Sequence, residues 1–312
     1  MQDEIDTQSE EEFSSKMLLT PKLSAPSDEE YLKAIVLSRL IKHIFCASGL
    51  SKIKLPKEAQ SPFKDHIHVK NVKIMTKSKE RIGAWVVYNK EKDVAGWSLV
   101  LHGNSTNRNT FSQLYEVENL LNEGIGALII DYRGFGDSEG LPSRSAFIED
   151  VSAGVNYFRK KNIMSISIIS YSLGTAIALE YLMRYTGKKM PVNIEKLVLV
   201  SPFSSTISLL REYKLWNFIE MVLPNSSTYA MHGLGYNSLQ NIQKVRMRIL
   251  IIHGAADWLI PCTHGEILAK NSNATFLKLE NETHSTVFKN PLTWRTIAKF
   301  VENPPSSETP SA

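Results

Sequence analysis

From residue 65 the chain alternates short apolar runs with stretches of helical period. Ala127-Leu128-Ile129-Ile130, Leu197-Val198-Leu199-Val200 and Ile249-Leu250-Ile251-Ile252 are unbroken apolar runs. Strands read this way when helices cover both faces of a sheet, because neither face meets water. Residues 66–75 and 81–88 are rich in β-branched and apolar residues and flank Lys77-Ser78-Lys79, which predicts an antiparallel strand pair. After it the pattern predicts strand 95–101, helix 109–122, strand 125–131, helix 144–161, strand 165–170, helix 173–185 and strand 196–201. An irregular, partly apolar region over 203–245 follows, then strand 248–253, helix 263–271, strand 275–279 and helix 291–301. Such alternation predicts an α/β fold with a mainly parallel, doubly wound sheet. Ligands of such sheets bind beyond the carboxyl ends of the strands.

The flanks differ in character. Residues 1–30 are acidic, Ser-rich and poor in large apolar residues, and are expected to form a disordered tail. Residues 31–50 are predicted to be an amphipathic helical segment, in which Val36, Leu37, Leu40, Ile41 and Ile44 recur at helical spacing opposite Arg39, Lys42 and His43. Its apolar side either packs on its own domain or, over 31–47, makes peripheral contact with a membrane surface. Cys46 at its end is either a buried thiol or an acylation site. Residues 51–302 read as one α/β domain with 203–245 as a short insert, and 303–312 as a second disordered tail.

Composition narrows the function classes. The 312 residues are 43% hydrophobic and 22% charged, the profile of a soluble globular protein. No apolar run is long enough for a membrane-spanning helix. The opening MQDEIDTQSEEEF lacks the basic and apolar regions of a secretory signal. Two cysteines exclude a disulfide framework and fit a reducing compartment, so a cytoplasmic location is expected. No zinc-type Cys/His spacing and no nucleic-acid motif is present. Residues 1–30 carry nine Asp/Glu against two Lys, so the net +4 becomes +11 over the remainder. That basic body fits either scattered surface lysines or an affinity for anionic partners. The acidic head and Ser/Pro tail also leave open a secreted bacterial effector.

The candidate chemistry starts at Ser170-Tyr171-Ser172-Leu173-Gly174, where a predicted strand meets a predicted helix. A sharp turn there exposes the middle serine and needs small residues two before and two after it. A relaxed small–serine–small pattern arises by composition about once in a chain of this size, so context decides. His102-Gly103-Asn104 follows an earlier strand, and nominates the amides of Asn104 and Leu173 as an oxyanion hole. Asp257 follows strand 248–253 and suits the carboxylate that orients a histidine. Asp131 and Asp137 compete for that role but precede Ser172, against the order Ser…Asp…His. His284, after the last strand, suits the general base. His264 also follows Asp257, but lies at the start of a predicted helix.

On these residues the chain resembles the α/β-hydrolase superfamily, and within it the α/β-hydrolase-domain proteins that include protein depalmitoylases and lysophospholipid lipases. Leu101-His102-Gly103-Asn104, Asp131-Tyr132-Arg133-Gly134-Phe135-Gly136-Asp137, Ile252-His253-Gly254-Ala255-Ala256-Asp257 and Ile260-Pro261-Cys262-Thr263-His264-Gly265 carry the resemblance. It implies a triad of Ser172, Asp257 and His284, a loop-shaping role for Arg133, and a lid in the 203–245 insert. Ser170 and Thr283 stand where the family commonly has glycine. The implied reaction is acyl transfer to water, from a small-molecule or lipid acyl substrate or an acylated protein, without metal or organic cofactor. The insert's Leu209, Leu210, Leu215, Trp216, Phe218, Ile219, Met221, Val222 and Leu223 either line an acyl pocket or bury a helix. A non-catalytic hydrolase-fold binding protein and a serine peptidase remain the alternatives.

Overall fold

The computed structural model describes residues 62–104, 106–212 and 235–302. The expectations for 1–30, 31–50 and 303–312, for Cys46, and for the insert residues from Leu215 to Leu223 lie outside the described residues.

Strands β1 (Ile67–Met75) and β2 (Arg81–Asn89) form the expected antiparallel pair. Then follow β3 (Gly96–Leu101), β4 (Ile125–Ile130), β5 (Ser165–Tyr171), β6 (Asn193–Val200), β7 (Arg248–Gly254) and β8 (Thr275–Leu279). The eight strands lie in the order β1-β2-β4-β3-β5-β6-β7-β8. All pairings from β4 through β8 are parallel. Helices α1 (Arg108–Leu114), α2 (Glu118–Asn122), α3 (Arg144–Lys160), α4 (Leu173–Arg184), α5 (Thr206–Glu212), α6 (Ser238–Ile242), α7 (Thr263–Lys270) and α8 (Pro291–Val301) connect them.

Each strand feeds two cores because successive side chains point to opposite faces. Leu99, Leu101, Leu128, Ile130, Ile249 and Ile251 pack on one face with Phe147 and Val151 of α3 and Ile177 and Tyr181 of α4. Val100, Ile129, Leu250 and Ile252 pack on the other with Phe111 of α1, Leu120 of α2 and Trp294 of α8. The continuous apolar runs are thus consumed on both faces.

Two predicted boundaries differ. The helix expected over 109–122 is broken into α1 and α2, because Glu116 takes φ 51° and the Tyr115 carbonyl accepts from Trp294 Nε1 at 2.8 Å. The region after Phe203 is not wholly irregular: α5 and α6 stand at its two described ends, with Leu209 and Leu210 buried rather than exposed.

The strand order reverses at β3 and β5. The chain runs from β3 to β4 on one side and returns to β5 on the other. That reversal opens a crevice at the carboxyl ends of β3 and β5, where Leu101 pairs with Ser170.

Candidate active site

Ser172 sits one residue past β5 and opens α4 with φ 52° and ψ −118°. Positive φ is costly for a residue with a Cβ, so the surroundings must hold it. They do so through the Ser172 N–H, which donates to the Val200 carbonyl at 3.0 Å, and through the closeness of the turn to β3. A Cβ on Gly174 would come within 2.5 Å of the Leu101 carbonyl oxygen and 2.8 Å of that of His102. Only glycine fits there. Ser170 is fully buried, and its hydroxyl donates to the Val198 carbonyl at 2.8 Å. The departure from glycine is therefore absorbed by the sheet.

His284 Nε2 stands 3.1 Å from Ser172 Oγ. Its Nδ1 stands 2.8 Å from Asp257 Oδ2. Asp257 is turned toward the ring by the Leu259 and Ile260 amides, which donate to Oδ1 at 3.0 and 2.8 Å. Burial alone would push this carboxyl up. Hydrogen bonds from His253 and His284 outweigh it and hold the group well below the usual carboxylate range. The acid and histidine loops are joined by main-chain bonds: Ala255 N–H to Leu279 O at 2.8 Å and Ala256 N–H to Glu282 O at 3.0 Å. A Cβ on Gly254 would meet the Glu282 carbonyl oxygen at 2.1 Å. Thr283, the other departure from glycine, forms a turn with Thr286: the Thr283 N–H donates to Thr286 Oγ1 at 2.9 Å.

Gly103 brings the β3 loop against the serine. A Cβ there would lie 3.2 Å from Ser172 Cβ and 3.0 Å from Tyr171 Cδ1. Asn104 follows it, and Leu173 is the first residue of α4, whose opening N–H groups have no carbonyl one turn back to bond. Both residues sequence reasoning nominated for an oxyanion hole therefore flank Ser172 in the chain or across the strand ends.

The competing carboxylates are committed elsewhere. Asp131, fully buried, accepts the Arg108 amide at 2.6 Å and pairs with the Arg108 guanidinium. Asp137 pairs with Arg108 at 2.7 Å and Lys73 at 2.7 Å. Arg133 braces its loop, donating to the Ala146 carbonyl at 2.7 Å and pairing with Asp150 at 2.8 Å.

His264 is buried, with Nδ1 2.8 Å from Ser204 Oγ. Burial first, then the neighbouring His253, push its imidazole down to about 4, below the ordinary 6.5. Between those values the unfolded chain binds more protons than the folded one, so stability falls as pH drops from about 6.5 to 4. His264→Gln is expected to flatten that part of the stability–pH profile, read from urea midpoints; an unchanged slope would count against a buried neutral ring.

Two positioning residues carried no functional signal in the sequence. His253 Nε2 lies 2.8 Å from the Ile260 carbonyl oxygen and 3.4 Å from Asp257 Oδ2, so the acid is flanked by two imidazoles. Tyr171 donates its hydroxyl to the His284 carbonyl at 2.8 Å, and its ring centroid lies 5.0 Å from the imidazole. Burial pushes the phenol well above its ordinary range and keeps it protonated as a donor. The tyrosine was visible only as the variable residue beside the serine. Among the described residues no group of His, Cys, Asp and Glu could hold a metal ion, and no helix is long and apolar enough to cross a membrane.

Known proteins resemble this chain in part. A family model described as serine aminopeptidase, S33, matches residues 93–226, a stretch that contains Ser172 but ends before Asp257 and His284. The lysophosphatidylserine lipase ABHD12 of Danio rerio is 27% identical over 178 residues, 54% of this chain and 45% of that protein. Protein ABHD12B of Homo sapiens is 27% identical over 176 residues, covering 54% and 48%. The matches thus span about half the length of these relatives. In fold, the esterase Pf2001 of Pyrococcus furiosus superposes with a TM-score of 0.60 at 20% identity, over 80% of this chain and 96% of that one. Sheet order, the strand-to-helix serine turn and these likenesses together give the chain the α/β-hydrolase fold.

Proposed function

We propose that this protein is a serine hydrolase that cleaves a carboxylic ester or thioester through an acyl-enzyme on Ser172. The observation that carries the reading is the continuous line from Ser172 Oγ through both nitrogens of His284 to Asp257, at 3.1 and 2.8 Å. Ser172 attacks the acyl carbonyl as His284 Nε2 accepts its proton. Asp257, held ionised, stabilises the imidazolium and fixes the Nδ1–H tautomer. The amides of Asn104 and Leu173 donate to the oxygen that gains charge. Collapse of the tetrahedral species expels the alcohol or thiol, which takes its proton from His284. Water then repeats the attack with His284 as base, releasing the acid and restoring Ser172. None of these steps draws on a metal or an organic cofactor.

A fatty-acyl substrate, free or on a protein, is the reading favoured within this class, supported by the lipase named among the relatives. The description of the matching family model favours a second reading, hydrolysis of aminoacyl amides. A fluorophosphonate probe is expected to label the wild type and not Ser172→Ala; equal labelling of both would overturn the assignment. Rates on acyl esters, acyl thioesters and aminoacyl amides then separate the two readings.

A further inference from the structure

The excess of basic residues beyond residue 30 gathers at one end of the sheet. Arg159, Lys160 and Lys161 close α3 ahead of β5, and Lys188 and Lys189 precede β6. Lys244 and Arg246 precede β7, and Arg248 opens it. All eight are exposed. Strands β5, β6 and β7 are parallel neighbours, so their amino ends lie side by side at about 5 Å per strand. No Asp or Glu occurs in residues 159–164, 185–194 or 243–248. None of the eight pairs with a carboxylate among the described residues. The crowding of charge reaches into the sheet. Arg248 stands in register with Lys196 of β6. Burial first, then Arg248, push the Lys196 ammonium below its ordinary range. Cations in the last turn of a helix complement its dipole, which accounts for Arg159 and Lys160. It does not account for Lys188, Lys189, Lys244, Arg246 and Arg248, which lie in no helix. Ser172, Asp257 and His284 stand at the other end, past the carboxyl ends of β5, β7 and β8.

The chain enters the fold at this same end. Ile67, the first residue of β1, faces Asn89, the last of β2, and His66 Nε2 lies 3.0 Å from Asn122 Oδ1, just before β4. Residues 31–61 therefore join residues 1–30 to the basic end. Six strand spacings separate β1 from β7, about 29 Å. The intervening 31 residues reach roughly 45 Å even as one continuous helix and roughly 100 Å extended. Residues 1–30 carry nine carboxylates against two lysines, the sign opposite to that of the surface. A tether that spans the distance holds such a segment at a local concentration on the order of millimolar. An anionic bilayer fits the surface less well. Of the exposed large hydrophobic residues only Met164 falls in these segments, so the surface offers charge and little to insert.

We propose that residues 1–30 dock on the basic face formed at the amino ends of β5, β6 and β7. The contact sets carboxylates against ammonium and guanidinium groups, so salt weakens it. It holds whether or not Ser172 is a nucleophile. The test uses the full chain and a water-soluble carbodiimide, which joins a carboxylate to a touching lysine amine as an amide and itself takes up the water released. Peptide mapping then reads which lysines are joined to residues 1–30. Amides to Lys160, Lys161, Lys188, Lys189 or Lys244 are expected at low salt. They are expected to fall at least about fivefold in ~1 M salt, where the Debye length is ~3 Å. No amide to these lysines, amides confined to the lysines of residues 31–61, or yields that ignore salt overturn the proposal.

A full chain carrying Lys188→Glu, Lys189→Glu and Lys244→Glu provides the second arm. All three positions are exposed, and an unchanged thermal midpoint checks the fold. The amides to Lys160 and Lys161 are expected to fall at least about fivefold, because the face loses its field; unchanged yields overturn the proposal. The salt dependence of the wild type decides the matter even if the triple variant does not fold. Phosphatidylcholine vesicles with about 30% phosphatidylserine test the rival occupant. The amides are expected to persist in their presence. Vesicles that abolish them, where phosphatidylcholine alone does not, make a bilayer the occupant and overturn the proposal.

Discussion

Ser172→Ala is expected to lower kcat on an activated acyl ester by about 10⁶, and His284→Ala by nearly as much. The double variant is expected to fall no further. The reason is geometric. With Oγ 3.1 Å from Nε2, the hydroxyl is a useful nucleophile only while the imidazole takes its proton, and the imidazole is a useful base only while it has that hydroxyl to serve. On the proposed mechanism, removing either leaves the same remnant: substrate held near the amides of Asn104 and Leu173, attacked by water. KM should change little, because neither group is needed to hold the ground state. Initial rates of the four proteins, with folding checked by circular dichroism, decide it. Losses that multiply in the double variant would mean that the two side chains act separately.

Arg108→Leu is expected to cost about 3–5 kcal/mol of stability, the range for breaking one side of a buried ion pair. Arg108 and Asp131 are both fully buried. The guanidinium also bonds Asp137 and Asn71 and lies 5.2 Å from the Trp85 ring. Without it, Asp131 keeps the Arg108 amide but loses the only full positive charge it pairs with among the described residues, His102 being 3.4 Å away and charged only if protonated. For a domain of this size each kcal/mol moves Tm by about 2–4 °C, so a fall near ~10 °C is expected. Adding Asp131→Asn to Arg108→Leu should recover part of it by removing the stranded charge. A loss that the second substitution deepens would contradict this account.

Much of this was legible in the chain because the strands are buried on both faces. A run such as Ile249-Leu250-Ile251-Ile252 has no other economical use, and β8 and α8 fall where the pattern places them. Ser172, Asp257 and His284 were legible by their order along alternating elements. What escaped is set by contacts distant in sequence. Nothing near Glu116 announces a broken helix; Trp294, 179 residues beyond Tyr115, takes the carbonyl at that point. The Tyr171–His284 bond spans 113 residues. His253 looks like any strand-end histidine until the turn at Asp257 folds back over it. The partner of Ser170 was illegible for the same reason: its hydroxyl donates to the Val198 carbonyl on the adjacent strand.

The bonds between the Asp257 and His284 loops have a kinetic consequence. Because Ala255 and Ala256 hold the chain at Leu279 and Glu282, the carboxylate and the imidazole form a single block built on two neighbouring parallel strands. The serine belongs to a different strand, two positions away across the sheet. If that block forms before Ser172 is brought to it, the Tyr171 hydroxyl bond to the His284 carbonyl marks their meeting. Return of turnover would then lag return of secondary structure, and enzymatic activity would time the closing of the sheet between β5 and β7.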